Sequence, residues 1–239
     1  MDERELAWAG CYNVRDLGGL PTAGGRTTVP GAVVRADSLD TLTAAGWQAL
    51  YDHGVRTVVD LRDPDEVAAR DGTAPDGIVT VAVPLDDSAD TAMWRYFRGQ
   101  GLDGSPLYYR PFLERKPERC AAAVAAVARA APGGVVVHCG LGRDRTGLVT
   151  MLLLALAGVT PEAIADDYAL SADRLPARWS ARGEQDQNAE VAELLRRAGT
   201  TARAALLATL DWLEPASYLR SAGLADTDLT AVRARLLDA

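Results

Sequence analysis

The stretch from Gly134 to Ala157 constrains the fold of this chain more than any other part of the sequence. Gly134 to His138 is a short apolar run typical of a buried strand, and Gly147 to Ala157 is so uniformly apolar that it predicts a buried central helix. Between them lies a loop with two glycines, which begins at Cys139. A strand, a glycine-bearing loop and a helix in this order form the frame of a phosphate-binding site, because loop and helix N–H groups attract anions.

The rest of the chain alternates strand-like and helix-like segments, which is the pattern of an α/β layer structure. The 239 residues, nearly half of them apolar, are enough for a sizeable core, so we expect one domain over residues 1–239. Further strands are predicted at Ala32–Arg35, Val55–Leu61 and Ile78–Val83, and helices at Ala44–His53 after a cap at Thr43, from Pro117 to about Ala131, and from Thr160-Pro161 onward. The last part of the chain predicts amphipathic helices with a break near Ser221-Ala222-Gly223.

Charge and cysteine content exclude several functions. The formal charge of −8 disfavours general nucleic-acid binding, which needs many basic side chains at phosphates. The N-terminus is charged with no apolar stretch behind it, and the apolar run of residues 148–159 is too short to cross a bilayer, so we expect neither a secretory signal nor a membrane span. Cys11, Cys120 and Cys139 are widely spaced, which suggests reduced thiols in the cytoplasm rather than a disulfide framework.

The spacing of Cys139 and Arg145 indicates chemistry on a phosphate group. Five residues separate them, so a tight loop can wrap one phosphate while Arg145 grips two of its oxygens. The positive surroundings favour a thiolate at Cys139, which would attack phosphorus in line. The leaving oxygen then needs a proton and the second step needs a base, and Asp144 is the nearest candidate for both roles. This scheme requires no metal and no cofactor.

Each of these residues also has a structural interpretation. Cys139 alone would suit a small buried apolar position, and Asp144 would suit a cap of the helix that follows. The histidine before the loop, the two glycines within it and Arg145 favour the nucleophile. His138 is predicted to orient the loop from beneath through a hydrogen bond rather than to carry protons.

Two segments are candidate covers of the site. The first, near residues 89–109, holds several aromatic side chains among polar ones and is either a cover over a cleft or a packed excursion. The second, near residues 171–190, is polar and interrupted by Pro176 and Gly183, which suggests a mobile stretch. Asp60 and Arg62 stand where a predicted strand leaves the sheet, the usual place for sites in α/β proteins, and are expected to support the loop.

The sequence resembles the protein tyrosine phosphatase superfamily, and in particular its bacterial atypical branch, the PtpB-like tyrosine/serine phosphatases. The likeness covers nearly the whole chain. Besides the catalytic loop it rests on Asn13–Gly19, Gly31–Asp37, Val55–Arg62, Asp167–Ser171 and Tyr218–Leu237. It implies a cysteine-phosphatase fold, with a central, mainly parallel sheet flanked by helices.

The resemblance also implies roles for individual residues. Cys139 would be the nucleophile, Arg145 the phosphate clamp and Asp144 the proton donor, while Thr146 would help to stabilise the leaving thiolate. The positions expected to bind phosphate are Gly140, Leu141, Gly142, Arg143, Thr146 and Gly147, and Asp16, in the first matching stretch, is a further supporting residue.

The chain departs from this branch in two respects. Arg143 stands where the branch usually has lysine, which keeps the charge but changes the geometry of any contact to a second phosphate. No Trp-Pro-Asp loop is present, which argues against an acid on a separate mobile loop. Asp86 and Asp87, which follow Pro84, are reserve candidates for that role.

The substrate class is not fixed by the fold. A phosphorylated protein and a small-molecule phosphate, such as a nucleotide, a sugar phosphate or a phosphoinositide, both fit the loop. Alternatives of another class are a rhodanese-like sulfurtransferase, against which the position of Arg145 argues, and a phosphate-binding module without turnover, against which the intact Cys139, Asp144 and Arg145 argue. The sequence indicates no oligomeric state.

Overall fold

The computed structural model describes residues 4–67 and 74–238, and its centre is a five-stranded sheet. The strands are β1 (Arg15–Asp16), β2 (Val33–Ala36), β3 (Val55–Asp60), β4 (Val79–Ala82) and β5 (Gly134–His138), in the order β1-β2-β5-β3-β4. All neighbours are parallel except β1 and β2, which are antiparallel. The mainly parallel sheet implied by the resemblance is confirmed, and the predicted strands agree with the observed ones to within one residue at each end.

Ten α-helices flank this sheet within the described residues. They are α1 (Ala44–Asp52), α2 (Thr91–Gly99), α3 (Tyr109–Arg115), α4 (Pro117–Ala128), α5 (Asp144–Leu156), α6 (Pro161–Arg182), α7 (Asn188–Arg197), α8 (Ala202–Trp212), α9 (Pro215–Ser221) and α10 (Asp226–Leu237). Two short 3-10 turns, Pro64–Glu66 and Pro106–Tyr108, precede β4 and α3. In the described part of the chain, no helix is long and apolar enough to cross a membrane.

The two faces of the sheet bury alternate residues of each strand. In β5, Val136 belongs to the same core cluster as Trp47 and Leu50 of α1, whereas Val135 and Val137 belong to the larger cluster on the other face, which includes α4 and α5. This alternation arises because successive side chains of a strand point to opposite faces. Both faces are therefore covered, as the apolar strand sequences require.

The buried central helix predicted from the sequence is confirmed as α5. Every residue from Thr146 to Leu154 is buried. The helix begins at Asp144, three residues before the predicted start, so Asp144, Arg145 and Thr146 form its first turn. The end of the loop therefore lies at the positive end of the α5 dipole.

Helix α6 corrects the predicted interruption at Pro176. The helix runs through this proline and ends only at Gly183, whose φ of +63° suits a glycine at a helix end. Proline lacks the N–H that would bond the carbonyl of Ala172 four residues earlier. Asn188 Nδ2 donates a hydrogen bond to that carbonyl oxygen over 2.8 Å, so the acceptor is satisfied and the helix continues.

Candidate active site

The loop between β5 and α5 packs on the end of β2. Gly142 has a φ of +66°, and a Cβ atom at this position would lie only 2.4 Å from the carbonyl oxygen of Ala36. A side chain would therefore be both strained and in collision with the backbone of β2. Gly142 is required for the close approach that brings the loop to the sheet.

The carbonyl groups of the loop are held by donors outside it. The N–H of Ser38 donates to the carbonyl oxygen of Gly140 over 3.1 Å, Asn13 Nδ2 to that of Leu141 over 2.9 Å, and Arg35 Nη2 to that of Gly142 over 2.8 Å. In a trans peptide the C=O and the following N–H point in opposite directions. The N–H groups of residues 141, 142 and 143 are thereby directed away from these donors.

A buried charge cluster fixes Arg35 in this position. Asp167 of α6 accepts hydrogen bonds from Arg35 Nη1 (2.7 Å), Arg15 Nε (3.0 Å) and Arg4 Nη1 (2.8 Å). Burial opposes ionisation of Asp167, but the neighbouring Arg15 and Arg35 outweigh it and hold the pKa of this carboxyl well below its usual range. Since Asp167 and both buried arginines are at most 1% exposed, this cluster is a rigid support for the loop.

Cys139 lines a cavity of about 280 Å³ at the concave side of the loop and is itself only 2% exposed. The lining residues are Glu66, Cys139, Gly140, Leu141, Asp144, Arg145, Arg178, Glu184 and Gln187. Thr146 is fully buried next to the loop, and its Oγ1 has no hydrogen-bond partner among the described residues. The cavity therefore combines a thiol, loop N–H groups and the first turn of α5.

Arg145 is held by two carboxylates. Glu66, in the 3-10 turn after β3, accepts hydrogen bonds from Nη1 and Nη2, and Asp86 Oδ2 lies 3.2 Å from Nε. Burial works against the charge of Arg145, but Glu66, Cys139 and Asp86 outweigh it and raise the pKa of the guanidinium further. Arg145 is therefore a fixed cation. Glu66 was missed by the sequence analysis, and the signal was available, because this acidic residue follows the carboxyl end of a parallel strand.

Asp144 is held by neighbours on three sides. Its carboxylate accepts hydrogen bonds from Arg143 Nε (3.1 Å) and from the hydroxyl of Tyr168 (3.3 Å), and its carbonyl oxygen accepts from the hydroxyl of Tyr109 (2.8 Å). Gly147 lies against the same tyrosines, since a Cβ there would be 2.4 Å from the Tyr109 hydroxyl. Gly147 thus permits close packing of α5 rather than lining the cavity.

His138 and the residues that follow β3 lie beneath the loop. His138 is fully buried, with Nε2 3.5 Å from Asp60 Oδ2. Burial lowers the pKa of His138 to about 4, although Asp60 works in the opposite direction, so the imidazole is neutral near pH 7. Asp60 in turn accepts hydrogen bonds from Arg62, whose guanidinium also binds Asp40. These residues form a buried polar support beneath the carboxyl end of the sheet.

Asp16 is not brought to the loop. Its carboxylate binds His53 Nε2 (2.8 Å) and accepts from the N–H of Gly31 (2.7 Å), which precedes β2. These partners lie where the parallel strands begin, whereas Cys139 lies where they end. The expectation that Asp16 supports the phosphate site is therefore corrected. Asp16 links the segments that precede β2 and β3, at the opposite end of the parallel strands.

Three cavity residues come from the predicted cover segment near residues 171–190. Arg178 of α6 pairs with Glu184 and lies 3.6 Å from Asp37, and Gln187 Oε1 accepts from Arg143 Nη2 over 3.4 Å. Sequence reasoning singled out none of them, because they are more than 30 residues from the loop and only the fold brings them together. The other predicted segment, near residues 89–109, contributes buried Phe97, Tyr108 and Tyr109 to the core.

The sheet order, with the loop at the end of its central strand, places the chain in the class of α/β proteins whose candidate site lies between a parallel strand and the N-terminus of a helix. The comparison with known families then gives the particular group. The sequence matches the tyrosine phosphatase family over residues 6–238, so the chain belongs to this family and is a phosphatase.

Individual relatives agree with this assignment. The chain is 30% identical to the triple specificity protein phosphatase PtpB of Mycobacterium tuberculosis, over 99% of this chain and 100% of that protein. It is 33% identical to a putative tyrosine-protein phosphatase of Cupriavidus necator, over 71% of this chain and 64% of that protein. It is 30% identical to a tyrosine-protein phosphatase of Nostoc commune, over 88% and 76% of the two chains.

Proposed function

We propose that this phosphatase hydrolyses phosphate monoesters through a cysteinyl-phosphate on Cys139. One observation carries the proposal. Cys139 lies at the concave side of a loop whose carbonyls are held from outside by Ser38, Asn13 and Arg35, so the loop N–H groups and Arg145 surround the space beside the sulfur. Donors fixed in advance around a tetrahedral anion are what phosphoryl transfer requires.

The reaction then has two steps. The thiolate of Cys139 attacks phosphorus, a P–S bond forms, the ester P–O bond breaks and the leaving oxygen takes a proton. A water molecule then attacks the same phosphorus, loses a proton to a base, and releases inorganic phosphate and the thiolate. Arg145 and the N–H groups of residues 141, 142 and 143 stabilise the equatorial oxygens in both steps. Thr146, buried next to the sulfur-bearing loop, is proposed to stabilise the thiolate that leaves in the second step.

The substrate proposed first is a protein that carries phosphotyrosine. The cavity of about 280 Å³ is small compared with pockets for drug-sized ligands, and it fits a phosphoryl group on one aromatic ring. Relatives are named tyrosine-protein phosphatases, and one is named for triple specificity. Small-molecule phosphates stay the second candidate. A cytoplasmic location, expected from the wide spacing of the three cysteines, is part of the same proposal.

A pair of cysteine variants tests the mechanism. Cys139→Ser should lose all turnover of an aryl phosphate and of phosphotyrosine peptides in the presence of a chelator, because a hydroxyl cannot replace the thiolate at neutral pH. Cys120→Ser is the matched control: this thiol is buried in α4, burial raises its pKa to about 12, and its loss should leave turnover intact.

Trapping supplies the direct measurement. Wild-type protein quenched in acid during turnover should carry phosphorus on the peptide that contains Cys139. Turnover by Cys139→Ser, a requirement for a divalent ion, or phosphorus on another residue would refute the proposal. Serine and threonine phosphopeptides, phosphoinositides, nucleotides and sugar phosphates, together with thiosulfate, complete the substrate panel.

A further inference from the structure

Asp86 is a carboxyl group with an unusual position beside the phosphate loop. It follows β4, and its Oδ2 lies 3.2 Å from Arg145 Nε. Its Oδ1 is buried and, within the described residues, has no hydrogen-bond partner. A buried, ionised carboxylate oxygen without a donor costs more free energy than a protonated carboxyl in the same place.

The charges around Asp86 are mostly of its own sign. Burial is the main cause that raises the pKa of Asp86 to about 7, Arg145 opposes it, and Glu66, Asp63 and Asp103 add to it. Asp86 lines a second cavity, of about 310 Å³, rather than the cavity of Cys139, and the two cavities share Glu66 as a lining residue. Asp86 faces these charged or titratable groups: Arg145, Glu66, Asp63, Asp103, the hydroxyl of Tyr108, and Asp65 and Arg98 of the cavity wall. The phenol of Tyr108 stays neutral because burial raises its pKa.

Phosphate binding should shift Asp86 further toward its protonated form. Glu66 takes one N–H each of Nη1 and Nη2 of Arg145, and Asp86 stands at Nε, so a phosphate oxygen bound to the other N–H groups of this guanidinium would lie close to Asp86. A phosphate dianion at Arg145 places two more negative charges next to this carboxyl. Like charges in contact favour the neutral form of the group that can take up a proton.

The other candidate carboxyls lack these features. Asp144 is paired with Arg143 and accepts a hydrogen bond from Tyr168. Asp87 is turned away from the loop and pairs with Lys116 (2.8 Å) and Arg119 (3.0 Å). Of the three acidic residues that the sequence analysis considered as proton donors, only Asp86 combines contact with Arg145 and a buried oxygen that lacks a donor.

We propose that Asp86, rather than Asp144, is the catalytic acid and base of this phosphatase; the inference rests on the cysteinyl-phosphate mechanism proposed above. In the first step the neutral carboxyl of Asp86 gives its proton to the leaving oxygen as the P–O bond breaks and the P–S bond forms. In the second step the resulting carboxylate takes a proton from the attacking water as the P–S bond breaks. Asp86 thus ends the cycle protonated, and Cys139 ends it as a thiolate.

Leaving-group dependence tests this assignment. With phenyl phosphate, whose phenol leaves poorly, Asp86→Asn should lower kcat/KM by about 10²-fold or more, because this parameter reports the step in which the P–O bond breaks and the departing oxygen has no proton donor. With 4-nitrophenyl phosphate, whose phenol leaves more easily, the loss of kcat/KM should be several-fold smaller. In the wild type, kcat/KM for phenyl phosphate should fall at alkaline pH, and Asp86→Asn should not show this fall. Asp87→Asn, the matched control, should keep both the alkaline fall and the ratio of kcat/KM between the two esters.

The outcomes separate the two proposals. Acid-quenched Asp86→Asn should still carry phosphorus on Cys139 when 4-nitrophenyl phosphate is the substrate, whereas a failed cysteinyl-phosphate mechanism would show none in the wild type either. Equal losses of kcat/KM on both esters, an alkaline fall in kcat/KM that survives in Asp86→Asn, or the full pattern in Asp144→Asn would overturn the role of Asp86.

A binding measurement does not depend on turnover. Sulfate is a suitable probe, because it is a tetrahedral dianion that does not titrate near neutral pH. We would measure its binding to Cys139→Ser by calorimetry in two buffers of different ionisation enthalpy. The difference between the two binding enthalpies gives the number of protons that the protein takes up. Between about pH 7 and pH 8 we expect net proton uptake, because part of Asp86 is ionised before binding and the bound dianion shifts it toward its neutral form. The double variant with Cys139→Ser and Asp86→Asn should bind sulfate without taking up a proton. Sulfate binding to Cys139→Ser without proton uptake would also refute the assignment.

Discussion

Replacement of Asp167 by asparagine tests whether the buried charge cluster supports the loop. Asp167→Asn keeps the shape of the side chain and removes its negative charge, which leaves Arg15 and Arg35 buried side by side without a counter-ion. Arg35 is also the residue that holds the carbonyl of Gly142. We therefore expect the change to affect both the stability of the fold and the geometry of the site.

The expected loss of stability is large. Breaking a buried ion pair by removal of one partner costs about 3–5 kcal/mol, because the remaining charge is left uncompensated. For a chain of this size the loss corresponds to a fall in Tm of roughly 10 °C. The pKa of Asp167 is lower in the folded than in the unfolded state, so this stabilisation is complete above the unfolded value of about 4 and fades as the pH falls below it.

Urea unfolding at pH 7 measures this loss against a neighbouring control. Asp166→Asn changes the adjacent residue, whose ion pair with Arg203 is exposed on both sides, and should cost less than about 1 kcal/mol. At pH 3 the gap between Asp167→Asn and the wild type should narrow. Equal midpoints for the two variants at pH 7, or a gap that is constant between pH 7 and pH 3, would show that the cluster does not carry the stability assigned to it.

Two further predictions concern the loop itself. Gly142→Ala should lower kcat/KM by about 10²-fold or more, because the new Cβ meets the carbonyl oxygen of Ala36 and displaces the loop. Gly140→Ala should lower kcat/KM less, because its Cβ would lie 3.7 Å from the nearest neighbouring atom. Steady-state kinetics compares the two variants, and equal losses of kcat/KM would contradict the prediction. The His138 ring should remain neutral between pH 5 and pH 8, because burial lowers its pKa to about 4; a histidine NMR signal that titrates in this range and persists in His53→Gln would contradict it.

The features that the sequence predicted correctly are those encoded over short distances. The strand β5, the glycine loop and α5 follow one another within about 20 residues, and each has a pattern of its own: an apolar run, paired glycines and an unbroken apolar helix. The cap at Thr43 is local in the same way, and its Oγ1 accepts from the N–H of Gly46 over 3.2 Å as expected. Where residues interact with near neighbours, the pattern is enough.

The features that the sequence missed depend on residues far apart. Glu66 and Arg145 are 79 positions apart, and Asn188 reaches back to the carbonyl that Pro176 leaves without a donor. The contact of Asn188 has no local signature, and the position of Glu66 after a parallel strand suggests a site residue without indicating its partner. The prediction that Asp16 supports the loop was wrong for a related reason, since a matching stretch does not tell at which end of the strands a side chain lies. The single domain and the two cover segments stay predictions.

The carboxylates around Arg145 also explain how an acidic protein can bind a phosphate dianion. Glu66 fixes the guanidinium but partly neutralises it, so a second ionised carboxylate at Nε would leave the site with a net negative charge before the ligand arrives. The neutral Asp86 that we propose would remove that obstacle, and its proton would then lie close to the ester oxygen that needs one. Substrate binding and proton supply are in this arrangement a single event, so both affinity and turnover should decline together as the pH rises above the pKa of Asp86.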